Sequence, residues 1–246
     1  MKAFVFAAGE GTRLRPLTDT MPKALVPVCG KPLLGHVVEK LRDAGYTQLV
    51  VNVHHFPGQI REYLAGRDWG VEISISDESE ALLETGGAIL HAKKLLLPSA
   101  APFLVHNVDI LSNLDLAWVR SNTRADALAT LVVSPRETRR QLLFSEDMRL
   151  VGWTDTATGQ VRSPFPGLDP SRCRRYAFTG IHNIAPRIFP HFEQWGFAGR
   201  FPIMDFYLKS CIGGRIFGLP AEGLKLLDIG KPDALAQAES FYKSIT

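Results

Sequence analysis

The sequence predicts an α/β fold: a three-layer α/β/α sandwich around a mainly parallel, Rossmann-like sheet, with a small β-rich lobe. Three observations carry this. Short apolar runs alternate with segments of helical periodicity through residues 1–133. Continuous apolar strands of this kind point to a parallel sheet covered on both faces. From Ser134 the alternation gives way to a hairpin pattern and a loop rich in Gly, Pro and Arg, and then resumes.

Residues 2–7 form an apolar run ending at Gly9, the pattern of a buried strand. Leu33, Leu34, Val37, Val38 and Leu41 repeat at helical spacing, and Gly45 marks the stop. Strands are expected at residues 49–53, 71–75, 103–105 and 128–133, with helices at 60–64, 87–97 and 114–119 between them. Residues 141–144 and 149–153 read as a hairpin, and 156–175 as a loop. Strands at 176–184, 215–219 and 225–228 and helices at 189–195, 204–212 and 234–242 complete the chain. No repeat or linker divides it, so residues 1–246 read as a single domain. Parallel sheets place ligands at the carboxyl ends of their strands, which directs attention to the residues just after Ala7, Val53, Val105 and Val133.

Composition excludes several classes. With 46% hydrophobic and 22% charged residues, the chain is a globular protein rather than a disordered one. A net charge of +3 is too small a bias to argue for nucleic acid. Three well-separated cysteines, Cys29, Cys173 and Cys211, form no CxxC pair, which argues against a disulfide framework and a zinc site. The apolar runs are too short for a membrane span or a signal peptide. The expectation is a cytoplasmic protein without nucleic-acid or membrane partners, of a self-association state the sequence does not reveal.

Gly9-Glu10-Gly11-Thr12-Arg13-Leu14-Arg15-Pro16 follows the first strand directly. Glycines there permit positive φ and let a phosphate approach backbone N–H groups. Neither the Rossmann G-x-G-x-x-G nor the P-loop pattern is met, and Gly-x-Gly alone equally suits a tight turn. Arg13 and Lys23 bracket the turn with a planar fork and a compact charge, a combination suited to a triphosphate. Asp109, at a strand's carboxyl end, suits Mg²⁺, which takes one or two carboxylates plus phosphate oxygens.

The first loop, together with Pro22-Lys23-Ala24-Leu25-Val26-Pro27-Val28, resembles the sugar-1-phosphate nucleotidylyltransferases. The resemblance continues through Glu84-Thr85-Gly86-Gly87, Asn107-Val108-Asp109, Phe178-Thr179-Gly180-Ile181 and Asp228-Ile229-Gly230, and is weakest over residues 134–175. It implies attack by a sugar-1-phosphate oxygen on the α-phosphorus of a nucleoside triphosphate, with release of pyrophosphate. A phosphate oxygen needs no Ser, Cys or His nucleophile, in keeping with the lack of a recognisable triad. The resemblance implies that Asp109 and Asp228 share Mg²⁺. Arg13 then faces the β- and γ-phosphates, and Lys23 the α-phosphate and the acceptor. Ala8, Gly9, Gly11 and Thr12 cradle the nucleotide, Glu84, Thr85, Gly86 and Gly87 meet the base, and Asn107 meets a ribose or sugar hydroxyl. Thr179, Gly180 and Asp205 are the acceptor-side candidates. Residues 1–133 then form the nucleotide-binding core, and 134–246 the acceptor-binding part and the end of the core.

Two departures stand out: Val108 replaces the glycine usual before the first Asp, and Leu227 stands where relatives often carry Trp. The arginines at 136–140 and 172–175 read either as solvated charge or as recognition of an anionic acceptor. The Glu-Thr-Gly-Gly form is similar to that of the branch using UTP and N-acetylmuramate 1-phosphate, ahead of the branch using GTP and mannose 1-phosphate. Phosphocholine with CTP, and a non-catalytic nucleotide-sugar sensor, remain alternatives.

Overall fold

The computed structural model describes residues 1–97 and 99–245. β1 (Lys2–Phe6) is followed by a β2–β3 hairpin (Pro27–Val28, Lys31–Pro32), α1 (Leu33–Asp43), β4 (Gln48–Val53), α2 (Pro57–Ala65) and β5 (Glu72–Asp77). α3 (Glu84–His91) and α4 (Lys93–Leu96) then precede β6 (Phe103–Asn107), β7 (Ile110–Ser112), α5 (Leu116–Ser121) and β8 (Ala129–Ser134). β9 (Arg140–Phe144), β10 (Leu150–Asp155) and β11 (Val161–Arg162) lead into the long β12 (Arg174–Ile184). The chain closes through α6 (Ile188–Gln194), α7 (Ile203–Ser210), β13 (Ile216–Pro220), β14 (Leu226–Asp228) and α8 (Pro232–Lys243).

The central sheet is mixed and mostly parallel. β5, β4, β1 and β6 run parallel in that order, as do β8 and β13. β12 is the exception: its C-terminal half lies antiparallel between β6 and β8. Its N-terminal end leaves β8 and pairs with β9, which continues into β10 and β11. The β-rich lobe expected after Ser134 is therefore an antiparallel extension of the same sheet, joined to the core through β12.

Strand side chains alternate between faces, so consecutive residues of one strand serve different layers. Ala3, Val5, Leu49, Val51 and Leu104 face one core with α1, α2, α5 and α8. Phe4, Val50 and Val105 face the other, with α3, α4, α6 and α7. This is the expected three-layer sandwich, and it explains why consecutive central residues of β1, β4 and β6 are apolar. α5 starts at Asp115, whose carboxylate accepts from the Ala117 and Trp118 amides at 2.8 and 3.1 Å, satisfying N-terminal donors of the helix.

Three details depart from expectation. The helix expected at residues 87–97 begins at Glu84 and breaks at Ala92. The loop at 156–175 contains β11 and a helical turn, Pro170–Arg172. β14 forms as expected but outside the main sheet, pairing with β7, a three-residue strand too short to register in a periodicity reading. Among the described residues no helix is long and apolar enough to cross a membrane.

Candidate active site

The first loop coils into three short helical turns, Thr12–Leu14, Leu17–Asp19 and Lys23–Leu25. Gly11 has φ +65°, and a Cβ there would lie 2.9 Å from Thr18 Cγ2. The Thr18 hydroxyl donates to the Gly11 carbonyl at 2.8 Å. Glycine is therefore required both by the left-handed backbone and by the close approach of Thr18. The loop is held at its base by the Ala7 amide, which donates to Asn52 Oδ1 at 2.7 Å. Asn52 in turn donates to the buried carboxylate of Glu78 at 2.8 Å. Burial pushes the Glu78 carboxyl above its ordinary range, against the opposing pull of the Asn52 hydrogen bond.

These elements wall a cleft of about 480 Å³ at the carboxyl ends of the parallel strands. Of the residues the sequence nominates, Ala8, Gly9, Gly11, Thr12 and Arg13 line one side. Lys23, Asn107 and Asp109 also line it, as do Glu84 and Thr85. Asn52, Glu78 and Gly230 share the lining and were not anticipated. The first two sit at the ends of β4 and β5, positions that the strand-end rule marks without naming the side chain.

The charged end of the cleft is built by the β7–β14 ribbon. Asp228 pairs in register with Ile110, and the Ile229 amide donates to the Asp109 carbonyl at 2.9 Å. Two carboxylates 119 positions apart in the numbering thus flank one end of a two-stranded ribbon. The buried Lys23 ammonium donates to the Asp109 carboxylate. Asp228 is exposed and lines an adjoining groove with Arg13 and Gly230 rather than the cleft itself. Its carboxyl is nevertheless raised, first by the groups crowding it and then by Asp109, against the pull of Lys23, Arg13 and Arg136. A Cβ on Gly230 would lie 2.9 Å from both Arg13 Nη2 and Asp228 Oδ1, so glycine leaves room for the guanidinium beside the carboxylate. Among the described residues no set of three or more His, Cys, Asp or Glu converges as a metal site. A carboxylate of the cleft wall with a second carboxylate beside it fits a hard divalent cation such as Mg²⁺.

Val108 is accommodated without strain. Its side chain is buried in the first core, its amide donates to the Phe6 carbonyl at 3.1 Å, and it does not adopt positive φ. Glu84 does, with φ +59°, and pairs with Arg200 at 3.0 Å. A non-glycine residue held there stores strain of order 1–3 kcal/mol.

Several nominated residues take other roles. Gly86 and Gly87 do not line the cleft, and both amides donate to the Phe201 carbonyl, at 2.8 and 3.1 Å. A Cβ would lie 2.2 Å from Phe201 Cε2 at Gly86 and 2.2 Å from the Gly199 carbonyl oxygen at Gly87. These glycines let α3 dock on the segment before α7, so their N–H groups are not free to read a base edge. The Thr85 hydroxyl accepts from the Ile203 amide at 2.9 Å and so caps α7 rather than its own helix. Thr179 is buried and donates to the Val132 carbonyl at 2.8 Å, away from the cleft lining. Gly180, with φ +78°, touches the cleft only through Asn107: a Cβ would lie 2.6 Å from Asn107 Nδ2. Asp205 pairs with Arg162 at 2.7 Å beside a separate groove that includes Phe197 and Lys209. Of the arginine clusters, Arg139 pairs with Asp155 at 2.9 Å.

The family model described as nucleotidyl transferase matches residues 2–142. The N-acetylmuramate alpha-1-phosphate uridylyltransferase of Caulobacter vibrioides is 34% identical, across 97% of this chain and 95% of that protein. The mannose-1-phosphate guanyltransferase beta-B of Xenopus laevis is 36% identical across 56% of this chain, but across only 39% of its own length. Among solved structures, a UDP-glucose pyrophosphorylase complexed with UDP-glucose superposes with a TM-score of 0.76, covering 100% of this chain and 99% of that one at 18% identity. The last supports the fold alone.

Proposed function

Because this chain belongs to the nucleotidyl transferase family, whose members transfer a nucleoside monophosphate from a nucleoside triphosphate to a sugar 1-phosphate, we propose that UTP and an N-acetylmuramate 1-phosphate-like acceptor are its substrates, with Mg²⁺ as the metal. The observation that carries the reading is that Arg13, Lys23 and Asp109 converge at one end of the cleft, with Asp228 beside Arg13 in an adjoining groove. The amides of Gly9, Gly11 and Thr12 cradle the triphosphate, and Arg13 balances charge on the departing pyrophosphate. Lys23, released from Asp109 as substrates enter, meets the α-phosphate and the incoming acceptor phosphate. Asp109 and Asp228 would hold the Mg²⁺, which would supply charge neutralisation and help align the reacting oxygens. The acceptor phosphate is already anionic at neutral pH (second pKa near ~6), so no side chain need take its proton.

The preference for uridine rests on the near full-length likeness to the Caulobacter vibrioides protein, against a likeness to the guanyltransferase over 56% of this chain. Residues 1–133 then serve the nucleotide, and 134–246 the acceptor and the closing elements of the core. The reaction belongs in the cytoplasm, where nucleoside triphosphates are available. The test pairs UTP, GTP, CTP and dTTP with N-acetylmuramate 1-phosphate, N-acetylglucosamine 1-phosphate, mannose 1-phosphate and phosphocholine, read by pyrophosphate release. UDP-N-acetylmuramate as the dominant product is expected. A dominant GDP-sugar overturns the donor assignment, and no product from any pairing overturns the enzymatic reading.

A further inference from the structure

Glu78 stands directly beyond β5 and Asn52 near the end of β4, both almost fully buried and both part of the cleft lining. The hydrogen bonds through them run in one direction. The Ala7 amide can only donate, so the oxygen of Asn52 faces it, at 2.7 Å. That turns the Asn52 amide group toward Glu78 Oε1, to which it donates at 2.8 Å. From the other side the Leu83 amide donates to Glu78 Oε2 at 3.4 Å. Every donor points at Glu78, and only a carboxylate accepts at both of its oxygens. The main chain of Glu78 is pinned as well. Its amide donates to the Val53 carbonyl at 2.8 Å, and its carbonyl accepts from the Ala81 amide at 3.1 Å and the His54 ring at 2.6 Å. The two ends of this chain of bonds belong to two different loops of the cleft. Ala7 opens the first loop, whereas Leu83 lies between Leu82 and Glu84, which line the cleft before α3.

We propose that Glu78 is a positioning residue for the nucleotide: by accepting from both sides it fixes the first loop, which takes the phosphates, against residues 82–85, which face the nucleoside. This rests on the nucleotidyl-transfer reading of the site. Burying a carboxylate carries a desolvation cost that an apolar side chain avoids; what the carboxylate adds is a fixed spacing between two loops that hold opposite ends of one ligand. Loops already set for the ligand lower the ordering cost of binding it. In Glu78→Gln one oxygen becomes an NH2 group. Facing Leu83, it sets donor against donor. Facing Asn52, it forces that amide to turn and takes the oxygen away from Ala7. Either arrangement releases one of the two loops. Combining Asn52→Asp with Glu78→Gln restores the direction of the chain. The new aspartate accepts from Ala7 and from the glutamine amide, and the glutamine oxygen accepts from Leu83.

The test measures KM separately for the nucleoside triphosphate and the sugar 1-phosphate that give the parent chain its highest turnover. The variants are Glu78→Gln, Asn52→Leu and the Asn52→Asp, Glu78→Gln pair, each with a thermal melt. Both single variants are expected to raise nucleotide KM about tenfold, as for one lost hydrogen bond to a charged group, with acceptor KM within about twofold of the parent. The paired variant should return nucleotide KM to within about threefold of the parent, a non-additivity that directly coupled groups show. Unchanged nucleotide KM in folded single variants overturns the proposal, as does an equal rise in both KM values or a paired variant no better than the single ones. If Glu78→Gln does not fold, Asn52→Leu carries the comparison; failure of both to fold marks the network as structural only and also overturns the proposal. Absence of turnover by the parent on every pairing of nucleotide and acceptor overturns the functional reading itself, whereas a negative result confined to the variants leaves that reading standing.

Discussion

Lys23 and Asp109 lie 86 residues apart yet share a buried ion pair, and that pairing sets what each can do. A buried ammonium without a partner would be strongly disfavoured, and Asp109 supplies that partner. Asp109→Asn and Asp228→Asn should each lower metal-dependent turnover by at least ~10²-fold, since a metal clamp is worth several kcal/mol of transition-state stabilisation. A Mg²⁺ titration of initial rates checks this, and parental rates in both variants would remove the two-carboxylate assignment. Lys23→Ala should lower kcat more than it weakens nucleotide binding, because its charge matters most as two phosphates approach. Steady-state kinetics beside equilibrium nucleotide titration separates the two; weaker binding at unchanged kcat would make Lys23 a uniform binding contact.

At the scale of elements, the docking of α3 explains why glycine pairs matter outside the cleft. Gly87 sits where any Cβ meets the Gly199 carbonyl oxygen at 2.2 Å. A backbone atom cannot move aside as a flexible side chain does, so Gly87→Ala should destabilise the chain by about 1–3 kcal/mol, the range for overpacking. Gly58, in the first turn of α2, has nothing within 4 Å of a Cβ. Gly58→Ala should therefore be neutral or stabilising by up to ~1 kcal/mol, through loss of freedom in the unfolded chain. Urea midpoints at unchanged slope test both; equal stabilisation by the two substitutions would show that helix propensity, not docking, governs α3.

Across the whole molecule, two histidines buried at the strand core make stability depend on pH. Burial lowers His106 to about 4 and His182 to about 3. His182 stacks on Phe178 with ring centroids 5.3 Å apart, and neither ring nitrogen has a hydrogen-bond partner among the described residues. Both rings remain neutral when folded but titrate near ~6.5 once exposed by unfolding. The unfolded state therefore binds more protons below that pH, and stability declines as pH falls from about 6.5 toward 4 and then 3. His182→Leu should reduce proton uptake on unfolding at pH 5 by about one proton, read from urea stability at pH 7 and pH 5. An unaltered slope would place the titrating groups elsewhere.

Much of this protein was legible in the sequence, because its signals are local. Strand runs that stay apolar over consecutive residues point to a sheet covered on both faces, and the two cores divide consecutive residues as that argument demands. The glycine turn after β1 and the cations within it declare themselves by position, since a strand end is where backbone amides become available. Other features depended on contacts made by distant parts of the chain. β7 is three residues long and exists only because β14 pairs with it, and that ribbon brings Asp228 to Asp109. The segment before α7 claims the amides of Gly86 and Gly87, and Arg162 claims Asp205, so residues of the right type were drawn into packing rather than into the cleft. Asn52 and Glu78 are ordinary polar residues in sequence; burial and hydrogen bonding across the fold give them their places. Local periodicity is encoded in neighbouring residues, whereas the partner of a buried polar group is chosen by whichever distant element the packed sheet sets beside it.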